Sequence, residues 1–202
     1  MGGAAMDLEG MMKKKGHFWL DLVSCFLIPG YTLLFAGSVQ WFSSNFSVIA
    51  VTGADHYRGF VYWGILAGGY FLVMLGRLAG RLPRRGAQVG VLLITACAIL
   101  SLGYAIAIPY LPAYFPKYAA LHVLLAALAC VLLMLALLVI LLTLRREDRS
   151  RWRGPLRFWE GIVVISALLF WVAGIVSTAL EVFFTIAADL LVREIWLKGQ
   201  KK

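Results

Sequence analysis

The chain has 202 residues and a formal net charge of +9, and 62% of its residues are hydrophobic against 14% charged. With a mean hydropathy of +0.86, that balance excludes an ordinary soluble domain, because a core of this size cannot bury so much apolar surface. The positive charge lies beside long apolar runs, which points to anionic lipid at a membrane surface and away from nucleic acid.

A bilayer core about 30 Å thick takes roughly 20 apolar residues per helix, and spans are predicted on that scale. Residues 1–17 read as a basic cytoplasmic segment containing Lys13, Lys14 and Lys15. The first predicted span runs from Phe18 to Gly37. Asp21 and Pro29 interrupt it, so it reads as a retained helix and not as a cleaved secretory signal. Position six is Met6, which lacks the hydroxyl expected of a myristoylation motif. The following outer connection, Ser38 to Arg58, alternates apolar and polar residues and reads as an extended lid or a short interfacial segment. Asn45-Phe46-Ser47 within it has the form of a glycosylation acceptor.

The second span is predicted over Gly59 to Leu78 and the third over Ala87 to Ile108. A Pro and aromatic turn from Pro109 to Pro116 places Tyr110, Tyr114 and Phe115 at headgroup level. The fourth span, Tyr118 to Leu144, is the most apolar, and a loop rich in Arg follows from Arg145 to Arg157. Phe158 to Leu197 is too long for one span and leaves little room for a loop between two. A tight turn near Gly174 to Thr178, with a fifth helix before it and a sixth from Ala179 to Leu197, resolves the length. It also leaves only Arg58 and Lys117, of 19 Lys and Arg, on the side away from the basic stretches. Cytoplasmic loops accumulate Lys and Arg. The expected fold is therefore all-α: a polytopic membrane protein with six transmembrane helices in one bundle over residues 18–197, both termini cytoplasmic, and a basic tail at 198–202. The plasma membrane, or the cell membrane of a prokaryote, is the expected location.

Ionisable groups inside a span are costly and face the bundle interior, water or each other, so they mark where chemistry resides. On the cytoplasmic side the depths of Asp21, Glu160 and Arg193 match, with Asp189 about one turn deeper, which makes these four a candidate inner cluster. Asp189 and Arg193 are four apart on the sixth helix, the spacing of a self-neutralising pair. On the outer side His56, Arg58, His122 and Glu181 form a second candidate cluster, suited to binding phosphate or sensing external pH. Helix-end capping is the plainer role for Glu181. Glu181 and Asp189 share one face of the sixth helix, which is therefore the face expected to line the interior.

Cys25, Cys97 and Cys130 stand alone in apolar runs and read as small buried apolar residues, with no disulfide framework or zinc site. The spacing Gly64-x-x-x-Gly68 favours close helix packing without specifying a dimer. The three histidines, His17, His56 and His122, are dispersed, and no nucleophile elbow, phosphate loop or dinucleotide fingerprint occurs, so neither catalytic residues nor a cofactor or metal site is assigned.

The six-span plan, the polar and aromatic first outer loop, Phe115-Pro116 followed by His122, and Leu180-Glu181-Val182 opening the last helix together resemble the DRAM/Frag/Sfk superfamily of small membrane proteins. The resemblance implies a non-enzymatic role in membrane organisation or signalling. It carries over two positions, His122 and Glu181, and the loop departs from the family in having Asn45-Phe46-Ser47-Val48-Ile49. Engagement of lipid or of a membrane-protein partner is the leading expectation. A small transporter or channel using His122, Glu181 and Asp189 is the alternative, and an intramembrane transferase or hydrolase pairing Glu181 with His122 is the third.

Overall fold

The computed structural model describes residues 18–37 and 39–200, and the basic N-terminal segment 1–17 and the tail residues Lys201 and Lys202 lie outside the described residues. The described residues form helices and turns without a strand. Six long helices and one short one follow in order: α1 Phe18–Ala36, α2 Phe46–Ala50, α3 Ala54–Ala79, α4 Arg85–Ala107, α5 Pro116–Arg145, α6 Arg153–Ala173 and α7 Thr178–Gln200.

Five of these, α1, α3, α4, α5 and α6, are long and apolar enough to cross a membrane, the composition of an integral membrane protein. Helix α7 is as long as α4 but carries Glu181, Asp189, Arg193 and Glu194. Its charges are accommodated because it is packed inside the bundle, with Ala188, Asp189, Leu191, Val192 and Ile195 wholly buried. Helix α6 is the reverse case, most of its apolar side chains facing outward and Trp171 being 80% exposed.

The chain reverses between α6 and α7 at Gly174, which takes a left-handed φ of 69° that a side chain would disfavour, and its N–H closes the helix on the Phe170 carbonyl. A hairpin thus replaces the single long rod that Phe158 to Leu197 would otherwise form. The hairpin closes at its far end too, where Arg151 hydrogen-bonds the Lys198 carbonyl. Contacts across the ends put the helices in alternating directions. The guanidinium of Arg81, after α3, lies 3.4 Å over the Trp196 ring near the end of α7, and Arg193 pairs with Asp21 near the start of α1. At the opposite end, α7 begins against the loop that follows α1.

One expectation about side-chain placement is corrected by the fold. Cys25, Cys97 and Cys130 are free thiols, yet all three are exposed on outward faces of the bundle and not buried in it. Helices that are apolar all round carry no periodicity to mark their inner side. Of the two forms expected for the loop after α1, it is not the extended lid but a short compact segment: its centre is the helix α2, capped by Asn45, whose Oδ1 accepts the Val48 N–H at 2.8 Å. Phe46 is wholly buried there, packing edge-on against Phe35 and Trp63.

The glycine spacing reads as expected. A Cβ on Gly64 would collide with Ile106, and one on Gly68 would approach Leu102 at 3.3 Å, so this face of α3 serves the contact with α4.

Candidate functional site

Two groups of polar side chains are held inside the bundle, at opposite ends of α7. At the end where α7 begins, His122 in the second turn of α5 is 4% exposed, and both of its ring nitrogens are engaged. Nδ1 lies 2.7 Å from the Ala105 carbonyl and 2.8 Å from that of Ile108. Carbonyls only accept, so Nδ1 carries the proton, and Nε2 takes the Ser47 hydroxyl at 2.6 Å. His122 thereby ties the C-terminal end of α4 to α2.

Glu181, in the first turn of α7, reaches the same short helix from the other side. Its Oε2 accepts the N–H of Phe46 at 2.6 Å. In return the loop caps α7: Thr178 N–H donates to the Ser44 carbonyl at 2.7 Å and Ala179 N–H to that of Trp41 at 2.9 Å. A helix start leaves four N–H groups without intrahelical acceptors, and here two helix starts satisfy part of each other's deficit. His122 and Glu181 therefore converge on consecutive residues, Ser47 and Phe46, without bonding to one another.

The other two members of the predicted outer cluster do not join them. His56 Nδ1 bonds Thr52 Oγ1 at 2.6 Å, and Arg58 pairs with Asp55 at 3.3 Å, all at exposed positions. Both belong to the first turns of α3, where local partners within three or four residues are closer than the bundle interior. The Asn45-Phe46-Ser47 triplet is likewise occupied structurally, as a helix cap, a core side chain and the His122 partner.

The inner cluster also divides. Arg193 grips Asp21 of α1, with Nε and Nη2 at 2.8 and 2.7 Å from the same oxygen, Oδ1. The expected pair between Asp189 and Arg193 is not formed, because the guanidinium turns from its own helix toward α1. Glu160 is exposed on α6 and meets none of the three. Asp189 is wholly buried, and among the described residues neither carboxylate oxygen has a hydrogen-bond partner.

Groups that the sequence did not single out surround it. Ser24 Oγ donates to the Tyr70 hydroxyl at 2.9 Å, and that hydroxyl donates to the main-chain oxygen of Asp189 at 3.4 Å. Ser24 sits on a π-helical turn, Val23–Leu27, in which Ile28 N–H reaches back to the Val23 carbonyl. About two turns along α1, Trp63 Nε1 donates to the buried Thr32 at 3.1 Å. A serine and a threonine within an apolar run look alike whether they face lipid or neighbours. The signal that marks them is the spacing Asp21, Ser24, Ile28, Thr32, which lays one face of α1 against α3 and α7.

Compared with protein-family models, curated proteins and solved structures, the chain gave no match.

Proposed function

We propose that the chain is a six-span integral membrane protein of DRAM-like plan, with both termini on the cytoplasmic side, that engages anionic lipid through its basic end. The observation that carries this reading is the gathering of the basic stretches at one end of the bundle. The turn after α3, the loop from Arg145 to Arg157 and the end of α7 meet around a cavity of about 260 Å³ whose lining sets Arg81 and Arg151 beside Glu147 and Asp148, so the uncompensated positive charge lies on the exposed Arg146, Arg149, Arg153 and Arg157 of the loop. Arg58 and Lys117 belong to the other end. Lys and Arg at this density beside apolar spans favour the cytoplasmic leaflet, each contributing about 1 kcal/mol toward anionic lipid near the surface.

For α7 to be the sixth span it must bridge the bilayer. Its 23 residues extend about 34 Å at 1.5 Å each, enough for a hydrocarbon core of about 30 Å. Its charged groups are individually accommodated: Glu181 accepts from Phe46 of α2, Asp189 is wholly buried, Arg193 pairs with Asp21 of α1, and Glu194 pairs with Lys198 one turn on. Between Glu181 and Asp189 the buried residues of α7 are Val182, Thr185, Ala187 and Ala188, with Trp63 of α3 packed against the cluster that holds Val182, and this mostly apolar, packed face favours an organising or partner-binding role over conduction along this helix. The contacts of His122 and Glu181 support the same view: they are clamps on the loop after α1, with both ring nitrogens of His122 and the Oε2 of Glu181 engaged.

The test is lipid retention. Protein extracted into nanodiscs from mixed bilayers should carry anionic lipid enriched several-fold over the bulk by mass spectrometry, and neutralising Arg146, Arg149 and Arg153 together should reduce the enrichment. Retention that mirrors bulk composition overturns the reading. Labelling of single cysteines placed at position 200 and at position 113 should report opposite sides of the membrane, and labelling from the same side overturns the six-span plan.

A further inference from the structure

Asp189 presents a carboxylate without exposure to solvent and without a hydrogen-bond partner among the described residues. An ionised carboxylate in the interior of a membrane bundle requires a positive charge or a proton beside it. The adjacent cation on its own helix is Arg193, and both of its bonding nitrogens are directed to Asp21 Oδ1 at 2.7 and 2.8 Å.

What faces Asp189 is oxygen. Tyr70 comes from α3, its hydroxyl 3.4 Å from the Asp189 main-chain oxygen, and Ser24 of α1 completes the chain of hydroxyls at 2.9 Å. Both hydroxyl groups belong to buried residues. The π-helical turn directs Ser24 inward while the next three residues, Cys25, Phe26 and Leu27, face out. Such turns recur where a helix must re-aim a group at a functional position. A carboxylate, two hydroxyls and a carbonyl form a hard-oxygen set. Their single negative charge matches one monovalent cation, whereas calcium or magnesium sites ordinarily gather more carboxylate and water oxygens.

We propose that Asp189, with Tyr70 and Ser24, forms a binding site for one monovalent cation, a sodium ion or a proton, at the junction of α1, α3 and α7. The charged and titratable groups facing it are Tyr70 from α3, Arg193 one turn along α7, and Asp21 of α1 behind Arg193. The Asp21 and Arg193 side chains are 43% and 29% exposed, so this pair stands between the site and water at the basic end. The proposal does not depend on lipid engagement, since the site lies in the interior and its ligand is an ion.

The experiment uses the full chain in nanodiscs. Sodium chloride is titrated against choline chloride at fixed pH while the unfolding midpoint is followed, and the infrared band of protonated carboxylic acid is followed across pH without sodium. If sodium is the ligand, the midpoint rises and saturates with sodium but not with choline, and Asp189→Asn abolishes the rise. If the ligand is a proton, a carboxylic-acid band absent from Asp189→Asn grows as pH falls. In either case Tyr70→Phe shifts the half-saturating concentration several-fold, which keeps the test open should Asp189→Asn fail to fold. A band from Asp189 that is constant across pH and indifferent to sodium identifies a permanently neutral structural acid and overturns the proposal. So does an Asp189→Asn response equal to that of the unaltered protein, or a Tyr70→Phe titration that is unshifted.

Discussion

Glu181 accepts the Phe46 N–H at 2.6 Å across 135 positions of sequence. Through that bond and the loop carbonyls that cap α7, the last long helix and the loop after α1 hold each other's ends. Replacing Glu181 by Ala leaves the Phe46 N–H without its acceptor, at a cost of about 1–3 kcal/mol for a partly buried donor. Glu181→Gln retains a side-chain oxygen and should lose less than half of that. Thermal unfolding in detergent measures both, and limited proteolysis within residues 39–53 should accelerate in Glu181→Ala first.

Removing the hydroxyl from Ser47 tests the other side of the clamp. Ser47→Ala strips His122 Nε2 of its partner while Nδ1 keeps the Ala105 and Ile108 carbonyls. A loss of about 1–2 kcal/mol is expected for one buried hydrogen bond. His122→Phe should cost more, since it also releases the two carbonyls at the end of α4. Nitrogen NMR of the imidazole should show Nδ1 as the protonated atom in the unaltered protein.

The partner of Arg193 is Asp21, and a double-mutant cycle distinguishes it from Asp189. Coupling between Asp21→Asn and Arg193→Met is expected at about 1 kcal/mol, discounted for the partial exposure of both groups. The cycle between Asp189→Asn and Arg193→Met should show the smaller coupling. Equal or reversed magnitudes would contradict the arrangement described.

The loop between α5 and α6 should loosen in acid. Asp148 Oδ1 accepts from Arg151 N–H at 3.0 Å, and from the N–H and hydroxyl of Ser150 at 3.1 and 2.8 Å. The backbone N–H of Arg151, then the Ser150 hydroxyl, hold its carboxyl below the usual aspartate range. A group whose folded pKa is depressed stabilises the fold above its unfolded pKa and loses that contribution as pH falls through the folded one. Amide hydrogen exchange, corrected for its intrinsic pH dependence, should therefore rise at Ser150 and Arg151 only below the ordinary carboxylate range. Asp148→Asn should flatten that response.

Gly64 has no room for a large side chain because Ile106 occupies the space a Cβ would take. Gly64→Leu should destabilise the contact of α3 with α4 by about 1–3 kcal/mol through overpacking. Gly76→Leu, on the same helix but with open space at its Cβ, serves as the control. Both are read from the unfolding midpoint.

Much of this molecule follows from its sequence alone because a bilayer constrains a chain so strongly. Runs of about 20 apolar residues must become helices, since backbone groups in lipid have no other partner. The spacing of Arg and Lys, with the excess length of Phe158 to Leu197, was enough to require the reversal found at Gly174. Glu181 was legible as a carboxylate in the first turn of the last helix, but the N–H it accepts belongs to Phe46 at the start of α2, a partner that only the tertiary fold supplied. Which side of a uniformly apolar helix faces inward was not legible, and the three cysteines show it. Nor was the choice of partner for Arg193. Local spacing favoured Asp189 on its own helix, but only the approach of α1 supplied Asp21 in a position to take both nitrogens. Tertiary packing alone therefore left Asp189 buried among the hydroxyls of Ser24 and Tyr70, because desolvation and partner geometry depend on neighbours distant in sequence.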